Sequence, residues 1–282
     1  MSRAVWLVLV GIASVQLGAA FAKDLFGTIS PTALVWLRLA ASALILVAIA
    51  RPRLRGRTPR DWQVVVGFAL SLGLMNFAIY QSFARIPLGI AVTLEFIGPL
   101  TLAVVGSRRA RDLAWVGLAG VGVMLLGVER TDLDLVGVLF ALLAGAAWSA
   151  YILLSASTGS RWQGLDGLAV ASVIAAVVLM PMALVAGGTT LLEPRVLLIG
   201  AAIGVLSSVI PYSCELVALR TLRPSVFGIL MSLEPAAAAL AAAAVLGELL
   251  SVWQWLAIVC VVVASIGATR TGRAVQTEPV PN

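Results

Sequence analysis

Histidine is absent from the chain. Its absence removes imidazole from general acid–base catalysis, from nucleophile activation and from most zinc sites, so hydrolytic readings lose their usual machinery. Charge is scarce as well, at 11% of residues against about 25% in soluble domains. Two cysteines, Cys214 and Cys260, lie far apart inside apolar runs. Neither a disulfide framework nor a metal site is expected from them, and both read as packing residues. Lysine occurs once, as Lys23, which argues against a retinal Schiff base on the last helix. An intramembrane aspartyl protease would need two facing Asp residues, whereas Asp24 stands alone at the edge of a run. Nothing in the sequence implies an enzyme or a cofactor.

Long apolar runs are what the chain does have. Its 282 residues are 61% hydrophobic, with a mean hydropathy of +1.06. Many runs approach the roughly 20 residues that cross a hydrocarbon core about 30 Å thick. Charged residues, Gly and Pro divide the sequence into spans near 4–26, 31–50, 62–84, 88–106, 112–128, 134–155, 166–187, 195–218, 224–246 and 251–269. Lipid satisfies no backbone group, and the runs are too evenly apolar for alternating barrel strands. The expectation is therefore an all-α integral membrane protein of ten transmembrane helices.

The net charge of +6 then reflects loop asymmetry and not nucleic-acid binding. One side collects fourteen cations: Arg3, the five arginines of 51–60, Arg108, Arg109, Arg111, Arg161, Arg220, Arg223, Arg270 and Arg273. The other has Arg85, Arg130 and Arg195 with the acidic stretch ERTDLD (129–134). The positive-inside rule places both termini in the cytoplasm. Arg3, the apolar stretch after it and Ala20-Phe21-Ala22 imitate a signal peptide, but removing them would spoil this alternation, and retention is expected. The stretch 271–282, polar and carrying two prolines, reads as a disordered tail.

Sliding the chain by 136 residues places Leu70 on Leu206, Ser71 on Ser207 and Pro99 on Pro235. Residues 1–130 and 131–270 thus read as two related five-span halves. Five is odd, so the second half enters from the opposite side and the pair forms an inverted repeat, the construction that builds transporter cavities.

Five ionisable groups fall inside spans: Lys23, Arg38, Glu95, Glu215 and Glu234. Burying a charge mid-helix costs at least about 2.5–3.5 kcal/mol on insertion scales, so such groups face a partner, a cavity or water. Counting from span ends puts Arg38 and Glu95 about 10 Å below the outer boundary and Glu234 about 15 Å deep. Cations with separate carboxylates suit a zwitterion, the guanidinium or ammonium taking its carboxylate and the Glu its ammonium group. Small amino acids fit that description. Gln16, Trp36, Asn76, Tyr80, Gln81, Trp148, Tyr151 and Tyr212 supply further polar and aromatic lining. A membrane carboxyl can also exchange a proton with whichever side is open, which makes Glu234 and Glu95 candidates for proton coupling.

The stretches PLGIAVTLEFIGPL (87–100) with SRR (107–109), PYSCELVAL (211–219) and FGILMSLEPAAAAL (227–240) with LGE (246–248) closely resemble the EamA-type members of the drug/metabolite transporter superfamily. QLGAAFAKDLF (16–26), LRLA (37–40) and GAAWSAYIL (145–153) extend the resemblance over all ten spans. It implies an inner-membrane permease of two inverted EamA repeats that exports small amino acids such as threonine or homoserine by alternating access. Partners would be the amino acid, protons and the bilayer. The family's Lys, Arg and Glu positions fall on Lys23, Arg38, Glu95, Glu215 and Glu234. Cys214 departs from the Leu of the exporters. Other members move drugs and varied metabolites, so cargo is less firmly implied than architecture.

Overall fold

The computed structural model describes residues 3–107, 113–126, 133–219, 222 and 224–271. Arg108, Arg109, Arg111, Arg130, Arg220, Arg223 and Arg273 of the charge count, and the tail 272–282, lie outside the described residues. Thr271, expected to open that tail, instead ends the last helix.

All the regular structure among the described residues is helical. In the first half the helices are α1 (Arg3–Asp24), α2 (Pro31–Ala50), α3 (Pro59–Phe83), α4 (Leu88–Glu95), α5 (Ile97–Ser107) and α6 (Leu113–Leu126). In the second they are α7 (Leu135–Gly159), α8 (Asp166–Gly187), α9 (Pro194–Gly204), α10 (Ile210–Leu219), α11 (Pro224–Met231), α12 (Glu234–Leu246) and α13 (Val252–Thr271). Local chemistry sets several starts. Ser30 caps α2 by accepting the Ala33 N–H at 3.2 Å, with Pro31 at the first turn. Thr58 and Asp61 form a reciprocal capping box before α3. Asp134 accepts from Val136 N at 2.8 Å to open α7.

Seven described helices or helix pairs are long and apolar enough to cross a membrane, and Leu88–Leu102, Leu113–Leu125 and Pro194–Val209 are shorter apolar helices. Polarity is inverted relative to a soluble domain. Leu44 and Val185 stand 74% and 89% exposed on the outside, while Gln16 and Asn76 are 4% and 3% exposed within. This is the surface of a protein whose solvent is hydrocarbon.

The spans expected as unbroken at 88–106 and 224–246 are both interrupted. The first turns at Phe96, between α4 and α5; the second turns at Ser232 and Leu233, between α11 and α12. A proline follows each break, and having no N–H it cannot bond the carbonyl four residues back. Pro99 thus denies the carbonyl of Glu95, and Pro235 that of Met231, the donor four residues on. Pro211 does the same to Ser207, and there the helix absorbs the misfit as a π turn over Val205–Val209, with Ile210 N bonded to Val205 O.

Packing follows a regular scheme. α3 lies on α7 as α1 lies on α10; α2 packs on α8, α6 on α13 and α4 on α12. Glycines permit the closest crossings. A Cβ on Gly145 of α7 would collide with the Glu95 carbonyl oxygen, and one on Gly98 with the Gly145 carbonyl. The broken helix α4–α5 is therefore seated directly on the backbone of α7.

Candidate functional site

The helix interruptions and the π turn surround one cavity of about 200 Å³. Glu95, Ser207 and Met231, the three residues whose carbonyls the prolines release, all line it, together with Gln16, Arg38, Asn76, Trp148, Tyr151 and Glu234. Freed backbone at membrane depth is tolerated only where it faces protein or a polar space: the Glu95 carbonyl is packed against Gly145 of α7, and the Ser207 carbonyl accepts from Arg38 in the chamber.

Arg38 rises from α2 into the chamber. Nη1 donates to Tyr80 Oη and Nη2 to the Ser207 carbonyl, both at 3.5 Å. The guanidinium carbon stands 5.6 Å from the centroid of the Tyr80 ring, which is fully buried and held between Phe26 and Phe83. An aromatic platform thus supports the cation. Two polar atoms in this region are buried without a hydrogen-bond partner among the described residues: Arg38 Nε and Ser207 Oγ. An unmet guanidinium N–H in a water-poor site costs on the order of 1–3 kcal/mol or more, which a bound acceptor would recover.

The carboxylates approach from other elements. Glu234 begins α12, and Gln16 Nε2 donates to its Oε2 at 3.5 Å. Glu95 closes α4 beside the edge-on pair of Phe96 and Trp148, whose ring centroids are 4.9 Å apart. Arg38 and Glu95 line the same cavity, but no ion pair within 4.0 Å joins them among the described residues. Charges of both signs are therefore held apart around one space.

The other candidates are distributed as follows. Asn76 Nδ2 donates to Leu72 O at 2.9 Å from the chamber wall. Tyr80 is buried behind Arg38 and does not line the chamber. Trp36 donates to Ala176 O at 2.9 Å, and Gln81 to Thr32 Oγ1 at 3.0 Å, so both tie helices together. The side chains of Tyr212 and Glu215, on α10, lie outside the described residues. Lys23 is brought elsewhere. Its Nζ pairs with Glu248 Oε1 at 2.5 Å and donates to Ile86 O at 2.8 Å, while Glu248 Oε2 accepts Leu88 N at 2.9 Å. These bonds latch the end of α1, the α3–α4 turn and the α12–α13 turn.

Ser207 and Glu248 were not among the candidates. Glu248 sits past its span, so the cost of burying charge does not mark it. Ser207 is an ordinary serine in an apolar run; its signal is Pro211 four residues on.

Buried polar groups around a solute-sized space, inside a shell of lipid-suited helices, define a multi-pass membrane protein with an internal chamber. Residues 135–270 match the EamA-like transporter family. The chain is 42% identical over 277 residues to the threonine/homoserine exporter RhtA of Salmonella typhimurium (strain LT2), and 41% identical to that of Escherichia coli (strain K12). Each comparison covers 95% of this chain and 93% of the relative. A crystal structure at 19% identity shares the fold with a TM-score of 0.64, over 96% of this chain and 98% of that one. The chain belongs to the EamA-like transporter family.

Proposed function

We propose that this protein is a secondary exporter of small amino acids of the threonine/homoserine class, working by alternating access and proton antiport from the bacterial inner membrane. The observation that carries the reading is the chamber itself: a guanidinium with an unmet N–H shares it with Glu95, to which no ion pair within 4.0 Å joins it among the described residues, and with Glu234. A substrate carboxylate meets Arg38. Its ammonium group meets Glu234 and Glu95. Kinship with exporters named for threonine and homoserine supports the same cargo.

The architecture proposed with it is ten transmembrane helices in two inverted repeats, 1–130 and 131–270, with both termini cytoplasmic. The three shorter apolar helices are counted as crossings in that architecture. Two features support the repeat. The break at Phe96 falls, shifted by 136, on Ser232, inside the second break. Helix pairings also come in matched sets, since exchanging halves turns the α3–α7 contact into the contact of α10 with α1.

Proteoliposomes loaded with labelled threonine test substrate and coupling together. Efflux is expected to accelerate when the outer medium is made more acidic. Glu234→Gln and Glu95→Gln are expected to remove that acceleration. Acceleration unchanged in both variants would refute the coupling assignment, and retention of threonine by the wild-type protein would refute export.

A further inference from the structure

A second cavity, of about 170 Å³, lies between the last turns of α7 and the first turn of α8. It sits at the end where the α2–α3 and α7–α8 loops are strapped together: Arg57 donates to Arg161 O at 2.8 Å, and Arg161 pairs with Asp61 at 3.2 Å. Tyr151 lines both this cavity and the central chamber, and its ring packs on Phe68 with centroids 4.9 Å apart. Tyr151 lies about 12 Å before the end of α7 at 1.5 Å per residue. The two cavities are thus arranged in series along that helix, with one aromatic side chain as their shared wall.

The groups around the second cavity have a definite chemistry. Thr158 lines it, is 3% exposed, and its Oγ1 has no hydrogen-bond partner among the described residues. α8 starts beside that hydroxyl, where Leu165 supplies no side-chain cap. Asp166 N donates to Gln163 O at 3.0 Å and Ala169 N to Leu165 O at 2.9 Å. The N–H groups of Gly167 and Leu168, both on the cavity wall, are left as the donors of this helix start, at the positive end of its dipole. Gly167 lies so close to Thr158 that a Cβ there would collide with the threonine methyl, so the Thr158 side chain packs directly on the helix start, and both residues line the cavity. The acid of that turn, Asp166, is engaged by Arg57 at 3.7 Å and by the Arg53 N–H at 3.2 Å. A hydroxyl and helix-start amides suit a carboxylate, and the rings of Tyr151 and Phe68 suit an ammonium, the Trp162 ring being taken by the Arg57 guanidinium at 4.2 Å.

We infer that this cavity is a second binding station for a small zwitterionic amino acid, which holds the carboxylate at Thr158 and the start of α8 and the ammonium against Tyr151 and Phe68. It loads the chamber past Tyr151. The inference rests on the amino-acid export proposed above and adds a site to it.

The test uses the full chain with Cys214→Ala and Cys260→Ala, reconstituted, and with Ser155→Cys as a probe in the cavity wall. Threonine is expected to slow maleimide alkylation of that cysteine, and to do so still in Arg38→Ala, where the chamber is disabled. Adding Thr158→Val is expected to weaken the protection. In the cysteine-free parent it is expected to raise the KM for threonine efflux about three- to tenfold, the loss of one hydrogen bond, with kcat little changed. Efflux from the parent together with no protection by threonine overturns the second station and leaves export standing. So does protection that vanishes in Arg38→Ala, or a Thr158→Val variant with parental protection and KM. A parent that releases no threonine defeats both readings.

Discussion

Arg38 is held by two long hydrogen bonds and an aromatic face, an arrangement that fixes its direction and leaves part of its fork unsatisfied. Lysine would keep the charge but neither the planar fork nor the stacking. Arg38→Lys is therefore expected to raise the KM for amino-acid efflux about tenfold or more, the cost of one charge-assisted bond. Substrate dependence of efflux in proteoliposomes measures it, and a parental KM would remove Arg38 from carboxylate recognition. At this scale the cost of burying charge in hydrocarbon was enough to single out Arg38, Glu95 and Glu234 from sequence, because few other forces put such residues mid-span. The same argument grouped Lys23 with them. Counting along one helix gives depth but not the partner across the fold, and the partner of Lys23 is Glu248, at the far end of the sequence.

The interrupted helices and their crossings decide where those residues point. Gly145 lets α7 rest on the Glu95 carbonyl, so Gly145→Ala would force apart the break that positions Glu95. Overpacking of this kind costs about 1–3 kcal/mol, and a lowered melting temperature of the detergent-solubilised protein with a matching loss of efflux is the expected result. A variant as stable as the parent would show that the crossing has slack. The Lys23–Glu248 latch joins segments from both ends of the chain. If the two side chains act as a unit, Lys23→Ala, Glu248→Gln and the double variant should impair efflux to similar extents, whereas additive losses would mean separate roles. The all-helical class and most helix boundaries among the described residues were readable from apolar run length. The breaks were not, although their cause was in plain view: Pro99, Pro211 and Pro235 each stand four residues after a chamber-lining residue. A hydropathy reading registers proline as a mild interruption and says nothing of the carbonyl it releases.

For the whole molecule, the balance of charge along the chain and the pairing of helices across its halves describe one design. Apolar surface faces outward, the polar groups that lipid would penalise are collected at the centre, and ionic straps bind loops at each end: Arg57, Arg161, Asp61 and Asp166 at one, Lys23 with Glu248 and Arg85 with Asp134 at the other. A carrier that opens to each side in turn needs breakable contacts at both ends and a site between them. The site is the central claim, and it says that both ends of a zwitterion are recognised at once. Competition against labelled threonine efflux by threonine, its methyl ester and N-acetylthreonine tests this directly. Threonine alone should compete, because each derivative lacks one of the two charges; equal competition by all three would contradict the account.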